Sequence, residues 1–116
     1  MAPLGVLARL ELTSVRRSGT RRPIIVEMGQ PEACESGEWK CSVKLTAIDD
    51  RTRAICGEDA LQAICLALRF IACGLDDLLD DGGKLLDSEG GEFPLDAYFG
   101  KAMLRPRQSN TEDPSP

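Results

Sequence analysis

The chain has 116 residues, of which 42% are hydrophobic and 28% charged, a composition typical of one soluble globular domain. It contains no histidine, and its five cysteines show no C-x-x-C spacing, which argues against a zinc site and against a disulfide framework. No run of 18 apolar residues and no basic, signal-like N-terminus is present. We therefore expect a reduced, cytoplasmic protein with no membrane span, no metal and no cofactor.

The net charge of −5 is unevenly distributed along the chain. Residues 1–56 carry nine Lys and Arg against seven Asp and Glu, whereas residues 57–116 carry five against twelve. The halves therefore have net charges of +2 and −7. This asymmetry predicts a bipolar molecule, which bears on its partners rather than on its fold.

The first half of the chain is predicted to form four antiparallel strands. Residues 6–13 and 23–29 alternate apolar and polar side chains, and the segment RRSGTRR (16–22) between them supplies a glycine-containing turn. The strictest alternation lies in residues 39–47, after which Asp49–Asp50 form a turn and residues 51–56 a short fourth strand. One face of residues 39–47 is predicted to be buried: Trp39, Cys41, Val43, Leu45 and Ala47.

The period then becomes helical. Asp59 is placed to cap a helix of about 22 residues, and Gly82–Gly83 suit its left-handed stop. Apolar residues recur every three or four positions and are predicted to face the sheet: Leu61, Ile64, Cys65, Leu68, Ile71, Leu75, Leu78 and Leu79. The predicted fold is α+β, with a four-stranded antiparallel β-meander followed by one long amphipathic helix packed on the sheet. An irregular segment completes a single domain over residues 1–104, and residues 105–116 are predicted to be a disordered polar tail.

Several of these segments resemble a family of small bacterial proteins known only as a domain of unknown function. The resemblance lies in an E-x-G-x-P strand end (Glu27, Gly29, Pro31), in a W-x-C strand (Trp39, Cys41), and in a D-A-L-Q-A…A-L helix over residues 59–68. It covers residues 8–80, and the segment GGEFPL (90–95) is similar to the family's tail. The resemblance implies a compact β-then-α domain, and it implies no catalytic residue.

Four aspartates, Asp76, Asp77, Asp80 and Asp81, lie in the segment DDLLDD near the predicted helix end. Three of them have the D-D-x-x-D spacing by which prenyl-chain synthases hold magnesium, but the chain is too short for such an enzyme. They can instead be a solvated helix face. However, acidic residues at a helix C-terminus oppose its dipole by about 0.3–1 kcal/mol each. An acidic docking surface for a protein partner would explain them.

Four arginines flank the turn Ser18-Gly19-Thr20: Arg16, Arg17, Arg21 and Arg22. They are interpreted as a solubilising turn or as a secondary contact for an anion or a protein. Direct nucleic-acid binding is not expected, because no aromatic platform lies nearby and the whole chain is acidic.

The remaining candidates are cysteines and aromatic residues. Without histidine no cysteine has an obvious general base, so Cys41 and Cys65 are predicted to be core residues. The segment after the helix, with Phe93, Tyr98 and Phe99, is interpreted as a partly exposed loop and an additional contact surface.

Taken together, these patterns favour a non-catalytic protein-binding module rather than an enzyme. In size and charge the chain is similar to immunity or antidote proteins and to inhibitors that block a basic partner, either a toxin or a nucleic-acid-binding protein. The alternative is a homo-oligomeric structural protein, in which an edge strand or the segment from Phe93 to Phe99 pairs with a second copy.

Overall fold

The computed structural model describes residues 5–46 and 48–100, with only the backbone of residues 49 and 50. Within these residues the chain forms six strands and two helices. The elements in chain order are β1 (Val6–Val15), β2 (Arg21–Gly29), β3 (Glu32–Ala33), β4 (Trp39–Leu45), β5 (Asp49–Gly57), α1 (Ala60–Asp80), β6 (Lys84–Leu86) and α2 (Leu95–Phe99). Ala47 and the predicted tail over residues 105–116 lie outside the described residues.

All strand pairs are antiparallel, and the predicted meander is present as β1, β2, β4 and β5. The prediction of four strands was incomplete, because β3 pairs with the start of β4 and β6 pairs with the end of β1. β5 runs along the length of β4, so β2 and β3 share the other edge of β4. The α+β class and the packing of one long helix on the sheet are confirmed.

The sheet presents one apolar face to α1, as the two-residue period predicted. Side chains from three strands form this face and are buried: Leu12, Ile24, Val26, Met28, Cys41, Val43 and Leu45. The opposite face carries polar side chains such as Glu27, Lys40 and Lys44. Each large apolar side chain removed from water contributes about 1.5–3 kcal/mol, and these contributions offset the conformational entropy lost on folding.

The ends of α1 follow the predicted capping chemistry. Asp59 is the N-cap, and its side chain accepts a hydrogen bond from the Gln62 backbone N–H at 2.8 Å. At the other end Asp81 is the C-cap, and Gly82 has a φ of +85° that suits a residue without a Cβ.

The buried face of α1 differs from the predicted one. Ile71 and Leu75 are buried as expected, but Leu61 is 71% exposed and Cys65 is exposed. Half of the six buried residues of α1 have small side chains, namely Ala63, Ala67 and Ala72. These residues let the helix approach closely. A Cβ on Gly57 would lie 2.6 Å from the Ala63 backbone nitrogen, and one on Gly74 would lie 2.8 Å from Leu45 Cδ1.

The segment after α1 contains a short strand, β6, and a short helix, α2, whereas an irregular segment was predicted. Leu85 of β6 is buried, and its carbonyl accepts a hydrogen bond from the Phe93 N–H at 2.8 Å. The turn between them is held by the Asp87 side chain, whose Oδ1 accepts hydrogen bonds from Glu89 N–H and Gly91 N–H. The chain then enters α2, which contacts α1. Among the described helices, none is both long and apolar enough to cross a membrane.

Candidate functional site

The fold buries one of the four aspartates at the end of α1 and exposes the other three. Asp77, Asp80 and Asp81 are exposed, whereas Asp76 is 0% exposed. The expectation that all four face solvent is therefore wrong for Asp76. We refer to Asp77, Asp80 and Asp81 as the acidic end of α1. No residue in the last turn of the helix is basic, so the dipole and the carboxylates are negative at the same place.

Asp76 is buried because the segment after β6 folds back over its side of α1. It lines a cleft of about 350 Å³ together with Leu85 of β6 and with residues of this segment, among them Glu92, Phe93 and Leu95. Asp76 also takes part in an interaction within the protein. These neighbours indicate a structural role for Asp76 rather than direct contact with a partner.

The four arginines lie on both sides of the β1–β2 hairpin, and all are exposed. The turn is closed by hydrogen bonds from Arg16 N–H to the Thr20 carbonyl and from Gly19 N–H to the Arg16 carbonyl, each 2.8 Å long. Arg16 and Arg17 lie within the turn, whereas Arg21 and Arg22 begin β2. The hairpin therefore presents its two basic pairs from different backbone elements.

The structure brings the hairpin and the acidic end of α1 together, which the sequence did not indicate. Both line one cavity of about 290 Å³, here called the hairpin cavity. Its walls are formed by Ser14, Val15, Arg16, Arg17, Ser18, Leu78, Asp81 and Gly83. The Arg17 guanidinium also lies against Gly82, since a Cβ there would be 2.8 Å from Arg17 Nε. Arg17 thus places a positive charge at a helix end that has no basic residue of its own.

The pairing of β6 with β1 causes this juxtaposition. Val15 at the end of β1 pairs with Lys84, so the connection from α1 to β6 passes beside the hairpin. Ser14 is the residue of this site that sequence reasoning missed. It occupies an inward position of β1 but is polar, and a polar residue on the buried face of an alternating strand was the available signal.

The aromatic candidates do not form one exposed surface. Phe93 is buried, Phe99 is half-buried and Tyr98 is 60% exposed, so Phe93 does not belong to an exposed contact surface. The Phe93 and Tyr98 ring centroids lie 4.5 Å apart. Tyr98 and Phe99 also close one end of an apolar groove of about 350 Å³ between β1, β2 and α1.

None of the five cysteines, all in the described part of the chain, forms a disulfide, and they lie in different environments. Cys41 is buried as predicted, its Sγ–H donates to the Gly29 carbonyl at 3.1 Å, and burial raises the pKa of the Cys41 thiol. Cys65, predicted to be a core residue, is exposed instead. Within residues 5–46 and 48–100, no three His, Cys, Asp or Glu side chains are grouped so that they could hold a metal ion.

Comparison with known proteins identifies the family. Residues 8–94 match the family described as "Domain of unknown function (DUF6968)". No match was found among curated proteins or among solved structures. The match begins within β1 and includes β2 to β6 and all of α1, and on this basis the chain belongs to the DUF6968 family.

Proposed function

We propose that this member of the DUF6968 family is a non-catalytic module that binds a basic protein partner through the acidic end of α1. The observation that carries the proposal is the exposure of Asp77, Asp80 and Asp81 within five residues at a helix C-terminus. Each of these carboxylates opposes the helix dipole, and Asp77 and Asp81 lie one turn apart on the same face. The helix dipole does not favour this arrangement, whereas recognition of a basic surface does.

Electrostatics explains how such a surface would work. Clustered negative charge attracts a basic partner over about one Debye length and increases the association rate. A small acidic protein with this property can cover the basic active site of a toxin or the nucleic-acid site of another protein. We therefore propose an immunity, antidote or inhibitor role. The lack of a disulfide among the five cysteines, all of which the structure describes, is compatible with our proposal that the protein resides in the cytoplasm.

The test is capture of the partner by two variants that carry the same change in net charge. In the first, Asp77, Asp80 and Asp81 are replaced by lysine. In the control variant the replaced residues are Glu35, Glu38 and Glu89, which are exposed elsewhere. We expect the wild-type protein and the control to retain the same basic protein from lysate of the source cells, and the first variant to lose it. Raising the salt concentration should release the retained protein.

Dissociation constants for the captured protein, measured by calorimetry, make the comparison quantitative. Loss of three interfacial charges should weaken binding at least about 30-fold, since truncating a paired interfacial charge costs about 2–5 kcal/mol or more. If the two triple variants bind the partner equally well, the position of the replaced charges does not matter, and the proposed surface would then be rejected. Circular dichroism confirms that both variants remain folded.

A homo-oligomeric role is the second candidate, favoured by the exposure of large apolar side chains. Leu61 and Tyr98 are 71% and 60% exposed, and the apolar groove lies beside Tyr98. In this case sedimentation equilibrium of the wild type should give twice the monomer mass. The substitution Tyr98→Lys should restore the monomer, whereas the triple lysine variant of α1 should keep the dimer. A monomeric wild type at high protein concentration would exclude this candidate.

A further inference from the structure

Ser14 is a buried polar residue whose hydroxyl group has no hydrogen-bond partner in the described part of the chain. It is only 7% exposed, on the inward side of β1, and it lines the hairpin cavity. Among the residues that the structure describes, none forms a hydrogen bond with this hydroxyl. A buried polar group without a partner destabilises the folded state. The position therefore indicates a partner that enters from the cavity.

The neighbouring guanidinium groups indicate what that partner is. Arg16 and Arg17 line the same cavity, and no carboxylate of the described part of the chain forms an ion pair with either. Arg9, by contrast, pairs with Glu11 and Glu27. Guanidinium groups and a hydroxyl donor together suit an oxyanion, because each can donate a hydrogen bond to a different oxygen.

We propose that the hairpin cavity binds a phosphate group, held by Arg16, Arg17 and the hydroxyl of Ser14. A tetrahedral phosphate presents oxygens in several directions, which matches donors that come from β1 and from the turn after it. The cavity volume of about 290 Å³ accommodates the phosphate and a small group attached to it. This site goes beyond the proposed protein-binding function and does not depend on it.

Asp81 provides a further test of the proposal, because its negative charge opposes phosphate binding. Its side chain lines the same cavity, at the C-terminal end of α1. Replacing this carboxylate with an amide removes one negative charge beside the anion. Asp81→Asn should therefore tighten phosphate binding about fivefold, a gain that damage to the fold would not produce.

The experiment is titration of the full chain with inorganic phosphate, followed by backbone amide NMR at constant ionic strength and pH 7. Shifts should concentrate at residues 14–18 and 82–83. Ser14→Ala should weaken phosphate binding about tenfold, because the variant loses a hydrogen bond to a charged group. The thermal midpoint of unfolding should stay unchanged or rise. Arg16→Gln combined with Arg17→Gln should abolish binding.

Matched variants decide the outcome. Arg21→Gln combined with Arg22→Gln removes the same charge outside the cavity and is the control for the Arg16 and Arg17 variant. Glu89→Gln is the control for Asp81→Asn. Each of these two control variants should change the phosphate affinity less than twofold. Acetate should bind more weakly than phosphate. The proposal is overturned if the two arginine pairs weaken binding equally, if Ser14→Ala has no effect on affinity, or if phosphate causes no localised shifts.

Discussion

Replacing Gly57 with alanine is expected to lower the free energy of unfolding by about 3 kcal/mol, the upper part of the usual range for overpacking. A Cβ at this position would lie 2.6 Å from the Ala63 nitrogen and 3.0 Å from both Ala63 Cα and the Gln62 carbonyl carbon. All three are backbone atoms of the first turns of α1, so no side-chain rotation relieves the overlap. The helix must lift from β5, which loosens the contacts of Ala63 and Ala67.

The measurement is urea unfolding followed by circular dichroism, with Gly91→Ala as the control. Gly91 also has no positive φ, and a Cβ there meets only the Asp87 carboxylate at 3.4 Å. We expect the control to change the free energy of unfolding by less than about 1 kcal/mol. Equal effects of the two substitutions would show that α1 does not approach β5 as closely as the structure indicates.

The close approach of α1 also explains which part of the fold could be predicted from the sequence. The strands were predictable because polar and apolar side chains alternate along β1, β2 and β4, and the sheet has one buried face. The helix start was predictable because Asp59 carries a carboxylate that can accept from Gln62 N–H. Both signals are local, so neighbouring residues suffice to define them.

The face that α1 presents to the sheet was less predictable, because it depends on the distance between the helix and the sheet. A pattern weighted by hydrophobicity selects strongly apolar side chains such as Leu61 and Cys65. The structure instead buries Ala63 and Ala67, which allow close packing opposite Gly57. The strand β6 was missed for a related reason, since three residues carry too little periodicity to reveal a partner strand.

The candidate site was only half predictable. The sequence identified the arginines of the hairpin and the aspartates of α1 as two separate charged groups. Their meeting at the hairpin cavity depends on the pairing of Val15 with Lys84, two residues far apart in the chain. Contacts of this kind depend on the topology of the fold, so no local sequence pattern around Arg17 or Asp81 predicts them.

Asp76→Lys is expected to lower the free energy of unfolding by about 3–5 kcal/mol, although its exposed neighbours tolerate the same change. The side chain is fully buried and lines a cleft with Leu85 and Phe93. Reversal would place an ammonium group at a fully buried position and disturb the interaction in which Asp76 takes part. Asp77→Lys, one residue further along α1, should change the free energy of unfolding by less than about 1 kcal/mol.

This contrast determines how any charge-reversal result on DDLLDD must be interpreted. A variant that includes Asp76 would lose a binding partner because the fold is lost, which imitates the effect expected of a disrupted interface. The two causes separate in urea unfolding of Asp76→Lys and Asp77→Lys: a large stability loss should occur in the first variant only. If Asp76→Lys unfolds at the wild-type urea concentration, Asp76 belongs to the surface, and the partner-binding patch comprises four aspartates instead of three.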